Sequence, residues 1–109
     1  MLFLAELDHV KSGVPLTPEA RRAFIEQIIF PTLSRAEQLV AEKKILAGGP
    51  AVGRIALRFI IEAASLQEVD RLLSSLPIWP LAETRLTPLL AFADRRSSVQ
   101  ALLESLASR

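Results

Sequence analysis

GRIALRFIIEAASLQEVDRLLSSLPIWPLAETRLTPLL, Gly53 to Leu90, is the stretch whose reading decides the fold. From Gly53 to Glu62 the residues alternate. Ile55, Leu57, Phe59 and Ile61 fall on one side and Arg54, Ala56, Arg58 and Glu62 on the other, the period of a strand buried on one face, with Ile60 out of pattern. Ser65 and Glu68 then stand in the S-x-x-E spacing, in which a hydroxyl and a carboxylate take up the free amides of a helix start. Leu66, Val69, Leu72, Leu73 and Leu76 follow at three- and four-residue steps, which predicts a helix with one apolar stripe. Pro77 ends it. Pro77 and Pro80 frame Ile78 and Trp79 in a stiff turn expected to aim both apolar side chains inward. A closing strand is expected over Ala82 to Phe92, with Thr84, Leu86, Leu90 and Phe92 on one face. Pro88, which cannot donate to a ladder, marks it as an edge strand or a bulge.

Working outward, Phe3, Ala5 and Leu7 alternate with Leu4, Glu6 and Asp8, which predicts a first strand over residues 2 to 8. Lys11 to Pro15 carries turn chemistry. Thr17-Pro18-Glu19 opens a long helix with a cap, a first-turn proline and an acid at the positive end of the dipole. Its apolar stripe reads Ile25, Ile28, Ile29, Leu33, Ala36, Leu39 and Val40. Pro31 predicts a kink or a new first turn between Ile29 and Thr32. Ile45-Leu46-Ala47 reads as a short strand ended by a Gly48-Gly49-Pro50 turn, with Ala51-Val52 leading into the Gly53 strand. The order strand, helix, strand, strand, helix, strand is the ferredoxin-like βαββαβ pattern, an α+β fold with an antiparallel sheet and both helices on one face.

Composition narrows the function classes. A chain of 109 residues is expected to be one domain, burying about 65% of its unfolded surface. Half of the residues are hydrophobic and the mean hydropathy is +0.34, which points to apolar surface covered by another subunit. Thirteen basic and twelve acidic residues leave a net charge of +1, with no electrostatic footprint for nucleic acid or an anionic membrane. The lack of cysteine excludes a disulfide, a thiolate nucleophile and a cysteine metal site. Neither phosphate-loop glycine pattern occurs around Gly48-Gly49, one histidine with scattered carboxylates lacks metal-ligand spacing, and no motif calls for a cofactor. The apolar N-terminus has no basic leader and meets Glu6 and Asp8 too early for a signal peptide or a membrane span, so a cytoplasmic protein is expected.

The stretch from Gly53 to Leu89 resembles the muconolactone isomerase family. That family carries a glycine-led strand, a serine-initiated helix ending in L-L-x-x-L-P-[LI]-[FW]-P, and a closing strand with T-P-L. Here these read Leu72-Leu73-Ser74-Ser75-Leu76-Pro77-Ile78-Trp79-Pro80 and Thr87-Pro88-Leu89, and with the first strand and helix the resemblance covers residues 1 to 90. It implies a homo-oligomer of the dimeric α/β barrel type, a dimer or larger ring. It also implies an isomerase that moves a double bond in a small unsaturated lactone by proton transfer, in aromatic catabolism. Such chemistry needs a positioned base and donors that stabilise an enolate.

The family's tyrosine and asparagine, two residues apart after the glycine, fall on Ile55 and Leu57. Its helix glutamate falls near Thr32, with Glu26 and Glu37 the glutamates on either side of it. Ile55 and Leu57 cannot hydrogen-bond an oxyanion, so the usual catalytic positions are substituted. An active enzyme would take Glu26 or Glu37 as base, Arg54 or Arg58 as clamp for a lactone or carboxylate ligand, and Trp79 as a ligand platform. The other reading is a non-catalytic oligomeric or small-ligand-binding module of the same fold. His9 reads as a polar loop residue with an exposed or capping role, or as an acid-base group. Beyond Phe92 the family pattern ends. Residues 93 to 109 are expected to form a C-terminal amphipathic helix extension, with Ser97 and Gln100 as a second capping pair and Val99, Leu102, Leu103 and Leu106 as its stripe, packed on its own domain or on a neighbouring subunit.

Overall fold

The computed structural model of the chain describes residues 1–10 and 17–107, so the turn expected at Lys11 to Pro15 lies outside the described residues. Strand β1 (Leu2–His9) is followed by α1 (Pro18–Phe24), a π-helical turn (Ile25–Ile29) and α2 (Phe30–Ala41). Next come β2 (Ile45–Pro50), β3 (Ala56–Glu62), α3 (Leu66–Ser74), a short 3₁₀ turn (Trp79–Leu81), β4 (Ala82–Leu89) and α4 (Phe92–Ala107). The four strands form one antiparallel sheet in the order β2-β3-β1-β4. This is the expected α+β ferredoxin-like arrangement. β4 lies at an edge, where Pro88 removes no ladder bond that the sheet needs.

Sheet sidedness follows from strand parity. Phe3, Ala5 and Leu7 of β1 lie opposite Ile61, Phe59 and Leu57 of β3 and face the helices. With Leu39 of α2 and Val69, Leu72, Leu73 and Leu76 of α3 they build the core. The other face carries Leu2, Leu4, Glu6 and Asp8 beside Glu62, Ile60, Arg58 and Ala56, and no helix of the described chain covers it. Ile60 is therefore the next residue of the open face, not a break in the pattern.

The helix starts behave as their sequences predict. Thr17 Oγ1 accepts from the Ala20 amide at 3.1 Å, and Ser65 Oγ from the Glu68 amide at 3.1 Å. Glu68 Oε2 accepts from the Ala64 amide at 3.0 Å, and its Oε1 meets Lys44 Nζ at 2.7 Å. The Lys44 hydrogen bond first, then the Ala64 amide, holds the Glu68 carboxyl below the usual carboxylate range.

Five expectations are corrected. The strand after Gly53 begins at Ala56, and Gly48 to Pro50 belong to β2. The reversal lies between Ala51 and Ala56, closed by the Ala51 amide on the Ala56 carbonyl at 2.8 Å. Trp79 is 38% exposed while Ile78 is 5% exposed, so only one of the pair turns inward. β4 stops at Leu89, so Leu90 and Phe92 do not extend its face, and Phe92 is 98% exposed at the start of α4. That helix begins before Ser97, leaving the Ser97–Gln100 pair inside it, where Gln100 Nε2 reaches Glu104 Oε1 at 3.4 Å. Ile25, Val40 and Leu66 are exposed rather than part of their predicted stripes. For Ile25 the cause is Pro31: it has no amide for a regular helical bond, the turn widens so that the Phe30 amide reaches the Ile25 carbonyl, and the stripe shifts phase.

α4 buries none of its residues, and the molecule is 69 Å long against 28 and 24 Å across. No helix among the described residues is long and apolar enough to cross a membrane.

Gly48 has φ +118° within β2, opposite Phe59, where an added Cβ would overlap the Arg58 carbonyl oxygen and lie 2.5 Å from Phe59 Cα. Gly48→Ala is expected to destabilise the fold by about 2–3 kcal/mol in urea unfolding, through strain at a left-handed position and displacement of β3.

Candidate functional site

Between the helices and the end of the sheet lies a cavity of about 210 Å³. The π turn and α2 contribute Ile29, Thr32 and Leu33. β1 contributes Leu7 and His9, and β3 with the turn before it contributes Arg54, Ile55, Ala56 and Leu57. Pro50 and Ile78 complete the lining. The positions that the family resemblance associates with chemistry, Ile55, Leu57 and the neighbourhood of Thr32, thus converge on one hollow. Aliphatic side chains occupy the two strand positions.

Three polar side chains remain in the lining, and each is placed by its element. Thr32 is 4% exposed, and its Oγ1 accepts from the Ile78 amide at 3.0 Å, joining α2 to the turn after α3. Arg54 is set at the cavity by the β2–β3 turn, and its guanidinium lies 3.6 Å from Asp8 Oδ1 in a largely solvated ion pair. His9 ends β1 opposite Ala82, and its backbone amide donates to the Ile55 carbonyl at 3.1 Å. Its ring lies against Phe24, with centroids 5.1 Å apart and planes at 51°. The Nε2 atom is buried and has no hydrogen-bond partner among the described residues. Leaving such a nitrogen unpaired costs free energy, so it calls for an explanation.

The other candidates lie elsewhere. Glu26 pairs with Arg22 at 2.8 Å on the exposed side of the helix, and Glu37 is exposed on α2; neither lines the cavity. Arg58 is on the open sheet face. There its Nη2 donates to both oxygens of Asp8 at 3.1 Å and its Nε sits 3.3 Å from Glu6 Oε2. Trp79 is not in the lining. Of Glu26, Glu37, Arg54, Arg58 and Trp79, Arg54 alone lines the cavity, and His9 lines it as well. His9 is not a loop residue. Continuing the parity of Phe3, Ala5 and Leu7 by one step puts it on the helix-facing side, a signal legible in the sequence. Among the described residues no group of three or more histidines and carboxylates is placed to hold a metal ion.

No family model and no curated protein matches the chain by sequence. Solved structures do match. Muconolactone isomerase superposes with a TM-score of 0.69 at 22% identity over 84% of this chain and 90% of that one. A 5-chloro-2-hydroxyhydroquinone dehydrochlorinase from Burkholderia phenoliruptrix AC1100, solved with 2,5-dihydroxybenzoquinone, matches with a TM-score of 0.61 at 24% identity over 86% and 98% of the two chains. The chain has the fold of muconolactone isomerase.

Thr32→Val keeps the shape of the buried side chain and removes the acceptor for the Ile78 amide. A loss of about 1–3 kcal/mol in thermal or urea unfolding is expected, the cost of one buried unpaired amide.

Proposed function

We propose that this chain binds a small ring-shaped ligand in the cavity between α2 and the sheet, with the fold of muconolactone isomerase retained and its usual chemistry absent. The observation that carries this reading is the convergence of Ile55, Leu57 and Thr32 on one hollow whose lining includes no carboxylate. An aliphatic cavity of about 150 Å³ is enough to take up benzene, and this one is larger, so a six-membered or lactone ring with a substituent or two fits. Arg54 stands where it could leave its solvated pair with Asp8 and meet a ligand carboxylate at the mouth. Titration of purified protein with muconolactone in a calorimeter, beside an absorbance assay for the moving double bond, tests the proposal. Binding without turnover is expected, weakened about 3- to 10-fold in Arg54→Gln, the worth of one exposed charged contact. Turnover that disappears in Glu26→Gln or Glu37→Gln would restore the isomerase reading; absence of binding would remove the ligand reading.

The oligomer belongs to the same proposal. Leu2, Leu4, Ile60 and Leu89 form the apolar end of an open sheet face, and Glu6, Arg58 and Arg85 its charged end, so two copies packed sheet to sheet would cover both. α4 is a 16-residue helix with nothing buried, marginal by itself in water, and docking on a neighbouring copy would stabilise it. Light scattering should give a mass of at least twice 12.0 kDa, reduced by Leu4→Asp or by ending the chain at Leu90. A wild-type mass of 12.0 kDa would contradict this.

A further inference from the structure

We infer that Asp8 is an internal competitor for the ligand: its carboxylate draws the Arg54 guanidinium toward the open sheet face, and a ring bearing a carboxylate takes that guanidinium from it. The inference rests on the proposed ligand cavity and adds the residue that sets its preference between charged and neutral rings. Asp8 lies on the open face of β1, and Arg54 belongs to the β2–β3 turn, which passes around the end of the sheet and lines the cavity. Arg54 therefore has an anion on one side of that end and the hollow on the other. Its hold on Asp8 is loose: Nη2 stands 3.6 Å from Oδ1, too far for a hydrogen bond, and the two side chains are 60% and 40% exposed. Arg58 holds the same carboxylate more firmly, its Nη2 donating to Oδ1 and to Oδ2 at 3.1 Å each. Asp8 thus keeps a cation when Arg54 leaves, and the departure gives up only a weak, solvated ion pair. A ligand carboxylate offers Arg54 what Asp8 does not, two parallel N–H···O bonds at the rim of an apolar hollow. Arg58 is not free to make the same move, because Glu6 and Asp8 both hold it on the open face. A neutral ring does not compete for Arg54, so Asp8 is indifferent to it.

Benzoate and benzamide have nearly the same planar shape and differ in charge. Each is titrated in a calorimeter into the full-length protein as wild type, Asp8→Asn, Arg54→Gln and the double variant. Benzoate affinity is expected to rise about 2- to 5-fold in Asp8→Asn, the worth of one exposed ion pair, with benzamide affinity unchanged. In Arg54→Gln benzoate binds more weakly, and adding Asp8→Asn then changes nothing. Unchanged or weaker benzoate binding in Asp8→Asn, or an equal gain for benzamide, overturns the competition and leaves the cavity standing. A gain that persists in the Arg54→Gln background means that Asp8 merely repels anions, and it overturns the inference as well. Failure of wild type to bind either ring removes the cavity reading itself, and the inference with it. Labelled wild type supplies a second readout that needs no variant to fold. The Arg54 side-chain N–H and the Asp8 carboxyl carbon are expected to shift with benzoate and not with benzamide, while the Ile55 and Leu57 methyl groups shift with both. Methyl shifts with both ligands, and none at Arg54 or Asp8, would overturn the inference.

Discussion

Antiparallel pairing of β1 with β3 on one side and β4 on the other is the constraint on which the other features depend. It makes β1 the centre of the sheet and gives every odd-numbered residue from Phe3 to His9 to the helix side. Phe3, Ala5 and Leu7 are essentially inaccessible, and each buried aliphatic or aromatic side chain contributes about 1.5–3 kcal/mol relative to exposure. A slip of one residue would exchange them for Leu4, Glu6 and Asp8 and place two carboxylates against the helices, so the register is strongly specified.

The cavity follows from the same parity together with one irregularity in the helix. At the end of β1 the strand side chains reach beyond the packed core. The π turn forced by Pro31 sets Ile29, Thr32 and Leu33 over Leu7 and Leu57 with the hollow left between them. In so apolar a setting a hydrogen bond is stronger than in water, and an unpaired polar atom is correspondingly costly. The hollow is walled by Ile55 and Leu57, which offer no side-chain hydrogen bond, and its lining includes no carboxylate. The proposed reading as a ring-binding hollow rests on that lining.

Much of this was legible in the sequence, and the failures have physical causes. The alternation in β1 and β3, the caps at Thr17 and Ser65, and the break at Pro31 are local signals, and the structure uses each of them. Gly48 misled because Gly-Gly-Pro is turn chemistry. In fact the glycine lies within β2, opposite Phe59, where the strand presses against the Arg58 carbonyl, a long-range contact that no local pattern displays. Trp79 was expected inside on hydrophobicity alone, and the proline-framed turn has room to bury only Ile78. Of the candidate site, the three positions taken from the family resemblance lead to the cavity. The carboxylates sought nearby do not, because Glu26 and Glu37 fall on the outer side of the helix. His9 was hidden by the polar segment after it, although strand parity already placed it.

The claim that the helix–sheet hollow is a real and ligand-accessible cavity is tested most directly by diffraction from crystals pressurised with xenon. A xenon peak among Ile29, Leu33, Leu57 and Ile78 is the predicted result, since dry apolar cavities of this size take up the gas. A hollow closed by inward side chains, or filled with ordered water and free of xenon, would contradict the account.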